Sequence, residues 1–200
     1  NRSALGYDLS ELATVVFSKG DFKQAIESGQ DALQIHREIN DDHAICSSLF
    51  TLGNIYLQKG DSETALKIAQ ESVEISKKVN DSNLTFLNLN LLGNSNIRLG
   101  NLEDAKSYLE QALEIARQSP NKDQLGMANL NLGRVYWHRG DLQKALEHYN
   151  ASLQIAESTA STKGITANLN NLALVYLNQG SYGEALRCHQ RALSIREKAK

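Results

Sequence analysis

Asn54, Asn90, Asn94, Asn131, Asn170, Asn171 and Asn178 share this chain's helical stretches with Arg98, Arg134 and His138. Asn90, Asn94 and Arg98 are each four residues apart, as are Leu130, Arg134 and His138, and Asn170, Leu174 and Asn178. That spacing puts each set on one face of a helix. A side-chain amide both donates and accepts, so a row of them matches the alternating N–H and C=O groups of an extended peptide backbone. Guanidinium and imidazole groups in the same row select carboxylates. Trp137 and Phe17, which occupy equivalent positions at the edge of that row, offer apolar anchors. The chemistry expected here is capture of an extended, acidic peptide.

Other chemistries find no support in the residues. His36, His43, His138, His148 and His189 are scattered, with no H-x-x-x-H and no cysteine pair at metal-ligand spacing, so neither a metal nor another cofactor is expected. The glycines occur singly, without the clustering that cradles phosphate. Ser18, Glu11 and His138 lie too far apart to form a nucleophile, orienter and base, so no catalytic residue is assigned and the chain is read as a non-enzyme. A net charge of -2 and a pI near 6.2 give no general pull toward nucleic acid or anionic lipid. No long apolar run or signal-like N-terminus occurs, from which a cytoplasmic location is expected. Cys46 and Cys188 are read as small buried hydrophobes.

The elements that must position these side chains recur every forty residues. Gly20, Gly60, Gly100, Gly140 and Gly180 are each followed by Asp, Asn or Ser: Asp21, Asp61, Asn101, Asp141 and Ser181. Glycine accepts the left-handed conformation that ends a helix, and the next residue's oxygen caps the N-H groups of the following one. Each unit is therefore a helical hairpin. Five residues past each glycine stands an alanine (Ala25, Ala65, Ala105, Ala145, Ala185), and ten further on an isoleucine (Ile35, Ile75, Ile115, Ile155, Ile195), which the pattern assigns to the core. Upstream, Leu12-Ala13, Leu52-Gly53, Leu92-Gly93, Leu132-Gly133 and Leu172-Ala173 pair a bulky residue with a small one where helices cross closely. Val16, Tyr56, Asn96, Tyr136 and Tyr176 follow three residues later. Asn96 is the odd member, and a local hydrogen bond to a neighbouring carbonyl is its expected partner.

The L-[GA]-x-x-Y, G-[DNS], A pattern resembles the tetratricopeptide repeat over the whole chain. The Leu-Gly-Asn tripeptides at 52–54 and 92–94 are similar to those of the forty-residue subclass found in Pins-type scaffolds, and bacterial regulators carry long repeats of the same kind. The chain departs from the usual repeat in its length, forty rather than 34 residues, and in the expected lack of a proline after the second helix. The resemblance implies an all-α fold, a right-handed α-solenoid of five helix-turn-helix units with about ten helices, in repeats of about 1–40, 41–80, 81–120, 121–160 and 161–200. It reads as one domain of a longer protein. It also implies that the first helix of each hairpin, helix A, lines a concave groove, which is where the asparagine row and Trp137 would lie. Repeats that clamp an acidic chaperone tail carry a lysine in the column holding Ser10, Phe50 and Asn90; that lysine is missing here.

The expected function is thus a protein-interaction scaffold. The alternatives are a regulatory, sensor or spacer segment making contacts within a larger signalling protein, and a module that self-associates through its end repeats. The expected partner is a protein or peptide, not nucleic acid or membrane.

Overall fold

The computed structural model describes residues 2–198. These form helices α1 (Arg2–Ser18), α2 (Phe22–Glu38), α3 (Asp42–Lys59), α4 (Ser62–Val79), α5 (Ser82–Leu99), α6 (Leu102–Gln118), α7 (Lys122–His138), α8 (Leu142–Ser158), α9 (Thr162–Asn178) and α10 (Tyr182–Lys198). The odd-numbered helices are the A helices of the five hairpins and the even-numbered ones the B helices. The chain divides into two compact units, Asn1–Asn101 and Leu102–Lys200, with the division inside the third hairpin.

The turns explain the boundaries. All five period glycines have positive φ, between 73° and 96°, in the left-handed region that a Cβ disfavours. Asp21, Asp61 and Asp141 then accept the backbone N–H three residues on, at 3.0, 3.0 and 3.1 Å. A second set of caps, not anticipated from the glycine pattern, closes the turns between hairpins. There Asp41, Asp81 and Ser161 accept from Ala44, Leu84 and Gly164, and Asn121 accepts from Asp123. These turns also use left-handed residues, namely Asn40, Asn80 and Ala160. The third one differs: Pro120 stands two residues after α6, correcting the expectation that no proline follows a B helix.

In unit 1, Leu33, Ile45, Leu49 and Leu52 form one buried cluster and Val16, Ala25 and Ile55 another. In unit 2 the core gathers Tyr136, Tyr149, Leu153, Leu169, Leu172 and Val175 with the small residues Ala145 and Ala192. The alanine column is buried in every copy, whereas the isoleucine column is half-buried and lies at the margin of the core rather than its centre. Close crossing at the Leu-small pair is borne out: a Cβ on Gly133 would stand 2.6 Å from the Tyr149 ring.

Candidate functional site

The expected site residues lie on A helices in both units. Unit 1 holds Asn54 on α3 and Asn90, Asn94 and Arg98 on α5; unit 2 holds Asn131, Arg134, Trp137 and His138 on α7 and Asn170, Asn171 and Asn178 on α9. Within unit 1 α3 touches α5, and within unit 2 α7 touches α9. Arg98, His138 and Asn178 are exposed, and Asn54, Asn94, Arg134, Trp137, Asn170 and Asn171 are half-buried.

Two members do not present their amides to solvent. Asn90 is 3% exposed and donates through Nδ2 to the Phe86 carbonyl one turn back, at 2.8 Å; Asn131 is 4% exposed. Asn54 is more accessible yet makes the same bond, to the Phe50 carbonyl at 2.9 Å. A short amide four residues after a carbonyl reaches it readily, so part of the hydrogen-bonding capacity assigned to the row is spent within its own helix. Trp137 packs against the unit 2 core, edge-to-face with His138, and its Nε1 is buried without a hydrogen-bond partner among the described residues. It is thus at least partly a packing residue.

Electrostatics narrows the cationic set. Burial, with the nearby Arg134 guanidinium adding to it, holds the His138 imidazole below its ordinary range. At neutral pH the charges of the row are therefore those of Arg98 and Arg134. Carboxylates are segregated away from them. Past α1, the A helices carry only Asp42 and Asp123, both in a first turn, while every B helix carries at least two acids. On the B side the charges pair with one another: Arg37 with Glu71, Arg191 with Glu157.

Many asparagines are structural, which the sequence pattern alone did not separate from the row. Asn96 donates to the Leu92 carbonyl and accepts from Asn101, in line with the local bond expected for it. Asn88 and Asn168, two repeats apart, are buried and donate to the carbonyls of Leu84 and Gly164, both at 3.0 Å. Asn129 donates to the Leu125 carbonyl and pairs through Oδ1 with His148 Nδ1 at 3.0 Å. His36 Nδ1 meets Ser48 Oγ at 2.8 Å between α2 and α3. The forty-residue register of Ser48, Asn88 and Asn168 is the signal that identifies this polar seam. Cys46 is buried beside the Ser72 carbonyl and Cys188 half-buried against the unit 2 core.

Among the described residues no group of three or more His, Cys, Asp or Glu is placed to hold a metal. No described helix is long and apolar enough to cross a membrane.

A scan of family models finds the MalT-like TPR region across residues 11–200. The chain belongs to this family. No curated protein aligns significantly with it. Among solved structures, BtubC (BKLC) from P. vanneervenii has a TM-score of 0.82 at 22% identity, over 99% of this chain and 82% of that one. The Rap conjugation gene regulator of plasmid pLS20, solved in complex with the Phr* peptide, has a TM-score of 0.82 at 20% identity, over 96% and 53%. A STAND protein with a tetratricopeptide repeat sensor from Pyrococcus horikoshii gives 0.80 at 23%, over 97% and 30%. The chain thus spans about half of the Rap regulator and under a third of the STAND protein. At these identities the likenesses show the fold, a tetratricopeptide α-solenoid, which agrees with the reading of the forty-residue period.

Proposed function

We propose that this TPR segment is a protein-interaction module that holds an extended, acidic peptide along its A-helix side. The observation that carries the reading is the segregation of charge: the A helices beyond α1 carry only Asp42 and Asp123, whereas every B helix carries at least two acids, among them Glu71 and Glu157 in ion pairs with Arg37 and Arg191. In unit 1 Arg98 supplies charge-assisted hydrogen bonds and Asn94 meets the backbone; in unit 2 Arg134 takes the first role, Asn170, Asn171 and Asn178 the second, and the exposed Met127 and Leu174 receive apolar side chains. Asn54, Asn90 and Asn131 contribute less, since their amides are already engaged or buried, and Asn94 and Arg134 also engage other groups of the protein. That the pLS20 Rap regulator was solved in complex with a peptide supports peptide binding as the kind of interaction.

Fluorescence polarisation with labelled acidic and neutral peptides of matched length tests it. Arg98→Glu is expected to weaken acidic-peptide binding about tenfold or more without changing Tm, since a charge-assisted bond contributes about 1.5–3 kcal/mol. Equal binding of both peptides, or no effect of Arg98→Glu, sinks the acidic assignment. The STAND protein favours a second reading, a sensor segment whose A-helix side meets another domain of a larger protein. In that case a longer chain containing the segment masks the peptide site that the segment exposes when isolated.

A further inference from the structure

Unit 2 contains a cavity of ≈ 310 Å³ bounded by the first halves of α7 and α9 and the second half of α8. Met127, Leu130, Ile155 and Ala167 form its apolar walls. The lining also holds one side chain of each sign, both exposed: Asp123 in the first turn of α7 and Lys163 in the first turn of α9. Neither is in an ion pair among the described residues, with the other or with a third group. Ser161, the cap of α9, lies in the same lining. Its Oγ accepts from the Gly164 N–H at 3.2 Å, and its own hydrogen goes to no acceptor among the described residues.

The corresponding place two repeats earlier, in unit 1, differs in both respects. Cys46, Leu84 and Leu87 stand there where unit 2 has Gly126, Gly164 and Ala167, so the space is filled by side chains. The positions of Asp123 and Ser161 are taken by His43 and Asp81, whose Nε2 and Oδ2 meet at 3.3 Å. Unit 2 thus opens the wall and, at the same spot, replaces a closed pair with an acid and a base that stand apart. Asp123 gains from the dipole of α7, as an acid in a first turn does; Lys163 is opposed by that of α9, and an anion beside it would offset the repulsion.

We propose that this cavity binds a free α-amino acid with an apolar side chain, its carboxylate on Lys163 and the Ser161 hydroxyl, its ammonium on Asp123, and its side chain among the walls. The volume is at the lower end of the range of about 300–1,000 Å³ for small-ligand sites, which suits a ligand of leucine size. Charge complementarity selects the occupant. A residue inside a peptide carries neither terminal charge, an N-terminal residue only the ammonium and a C-terminal residue only the carboxylate; a free amino acid carries both on one carbon, matching the two signs of the lining. The Met127 thioether adapts to branched or aromatic side chains, so the class is set by polarity rather than by one shape. The inference goes beyond the peptide-capture reading and does not depend on it, because a free amino acid addresses the cavity alone.

Met127 is the chain's one methionine and lies in the wall, so methyl-13C-methionine labelling gives a reporter inside the site. Titration with L-leucine is expected to shift the Met127 methyl saturably. Its analogues 4-methylpentanoate, which lacks the ammonium, and 3-methylbutylamine, which lacks the carboxylate, are expected to bind about tenfold more weakly or worse. Asp123→Asn should bring leucine down to the level of 4-methylpentanoate, and Lys163→Gln to that of 3-methylbutylamine; both side chains are exposed, so the fold tolerates the changes. Ala167→Leu, which restores the side chain of Leu87, is expected to abolish the shift. The tripeptides Leu-Gly-Gly and Gly-Gly-Leu, each with one of the two charges beside its leucine, should bind more weakly than leucine; if either matches or exceeds it, the site belongs to a peptide terminus and the proposal falls. Absence of a saturable shift with leucine, phenylalanine and valine, or equal binding of leucine and its two analogues to the unmodified chain, also overturns it, whether or not the Ala167→Leu variant folds. Leucine binding without acidic-peptide binding keeps this site and removes the peptide-capture reading, and the reverse result removes this site alone.

Discussion

The junction of α3, α4 and α5 in unit 1 and that of α7, α8 and α9 in unit 2 are built on one template. Both have a serine on the B helix donating to the carbonyl of an A-helix residue, and an asparagine on the next A helix donating back into its own helix. Unit 1 covers that polar floor with Cys46 and Leu84, both buried, and with the half-buried Leu87. Unit 2 has Gly126, Gly164 and Ala167 there. A repeat protein can thus keep the hydrogen bonds that hold successive hairpins in register while trading side-chain bulk for a cavity, because the bonds run largely through the backbone and the bulk does not.

The largest effect expected from breaking the comparison is in unit 1. Leu84→Ala removes a side chain that is 6% exposed and should cost about 2–5 kcal/mol, read as a lowered midpoint in urea unfolding. An effect under about 1 kcal/mol would mean that Leu84 fills no space that unit 2 lacks.

A second pair contrasts the close crossings. A Cβ on Gly133 would meet the rigid Tyr149 ring at 2.6 Å, whereas one on Gly53 would meet Leu91 Cδ2, the end of a flexible side chain, at 2.4 Å. Gly133→Ala should therefore cost about 1–3 kcal/mol by overpacking. Gly53→Ala should be near neutral, because the roughly 1 kcal/mol by which alanine is the better helix former offsets the adjustment of Leu91. Thermal melts of the two variants check the order.

A third compares the turns between hairpins. Asn40 and Asn80 tolerate the left-handed conformation in unit 1, but in unit 2 Ala160 holds φ of 51° without a side chain that helps. Ala160→Gly is expected to stabilise by about 1 kcal/mol, and Asn80→Gly by less.

Acidification fixes a sign. Burial holds the folded-state pKa of His36 in unit 1 and of His148 in unit 2 below the ordinary histidine value. As pH falls through that value the unfolded chain takes up protons that the folded chain does not, so stability present above about pH 6.5 declines on acidification toward the lower folded values. His36→Gln and His148→Gln should each flatten the fall in Tm between neutral and mildly acid pH. An unchanged slope in both would contradict the burial assigned to these rings.

How much of this was legible beforehand follows from what a period can encode. The glycine, alanine and leucine columns recur in each copy, so the helices, their turns and the close crossings could be read directly from spacing. The asparagines could not be sorted the same way. Asn90 and Asn170 share a column but differ in burial, and an i, i+4 stripe says which face a residue is on, not whether a neighbouring hairpin covers it. Asn88 and Asn168 belong to the register of Ser48, which Ala128 interrupts and which reads as a seam only once the carbonyls beneath it are located. The cavity was hidden for a related reason: Gly126, Gly164 and Ala167 look like ordinary small residues until they are set against Cys46, Leu84 and Leu87.

The most direct measurement is a methyl NMR map of the chain with a short acidic peptide bearing one tryptophan. The account predicts saturable shifts at Met127, Leu130 and Leu174 on α7 and α9, with Leu186 and Leu193, exposed on α10, unmoved. Shifts confined to α10, with α7 and α9 silent, would contradict the claim that the carboxylate-poor A helices are the ligand side.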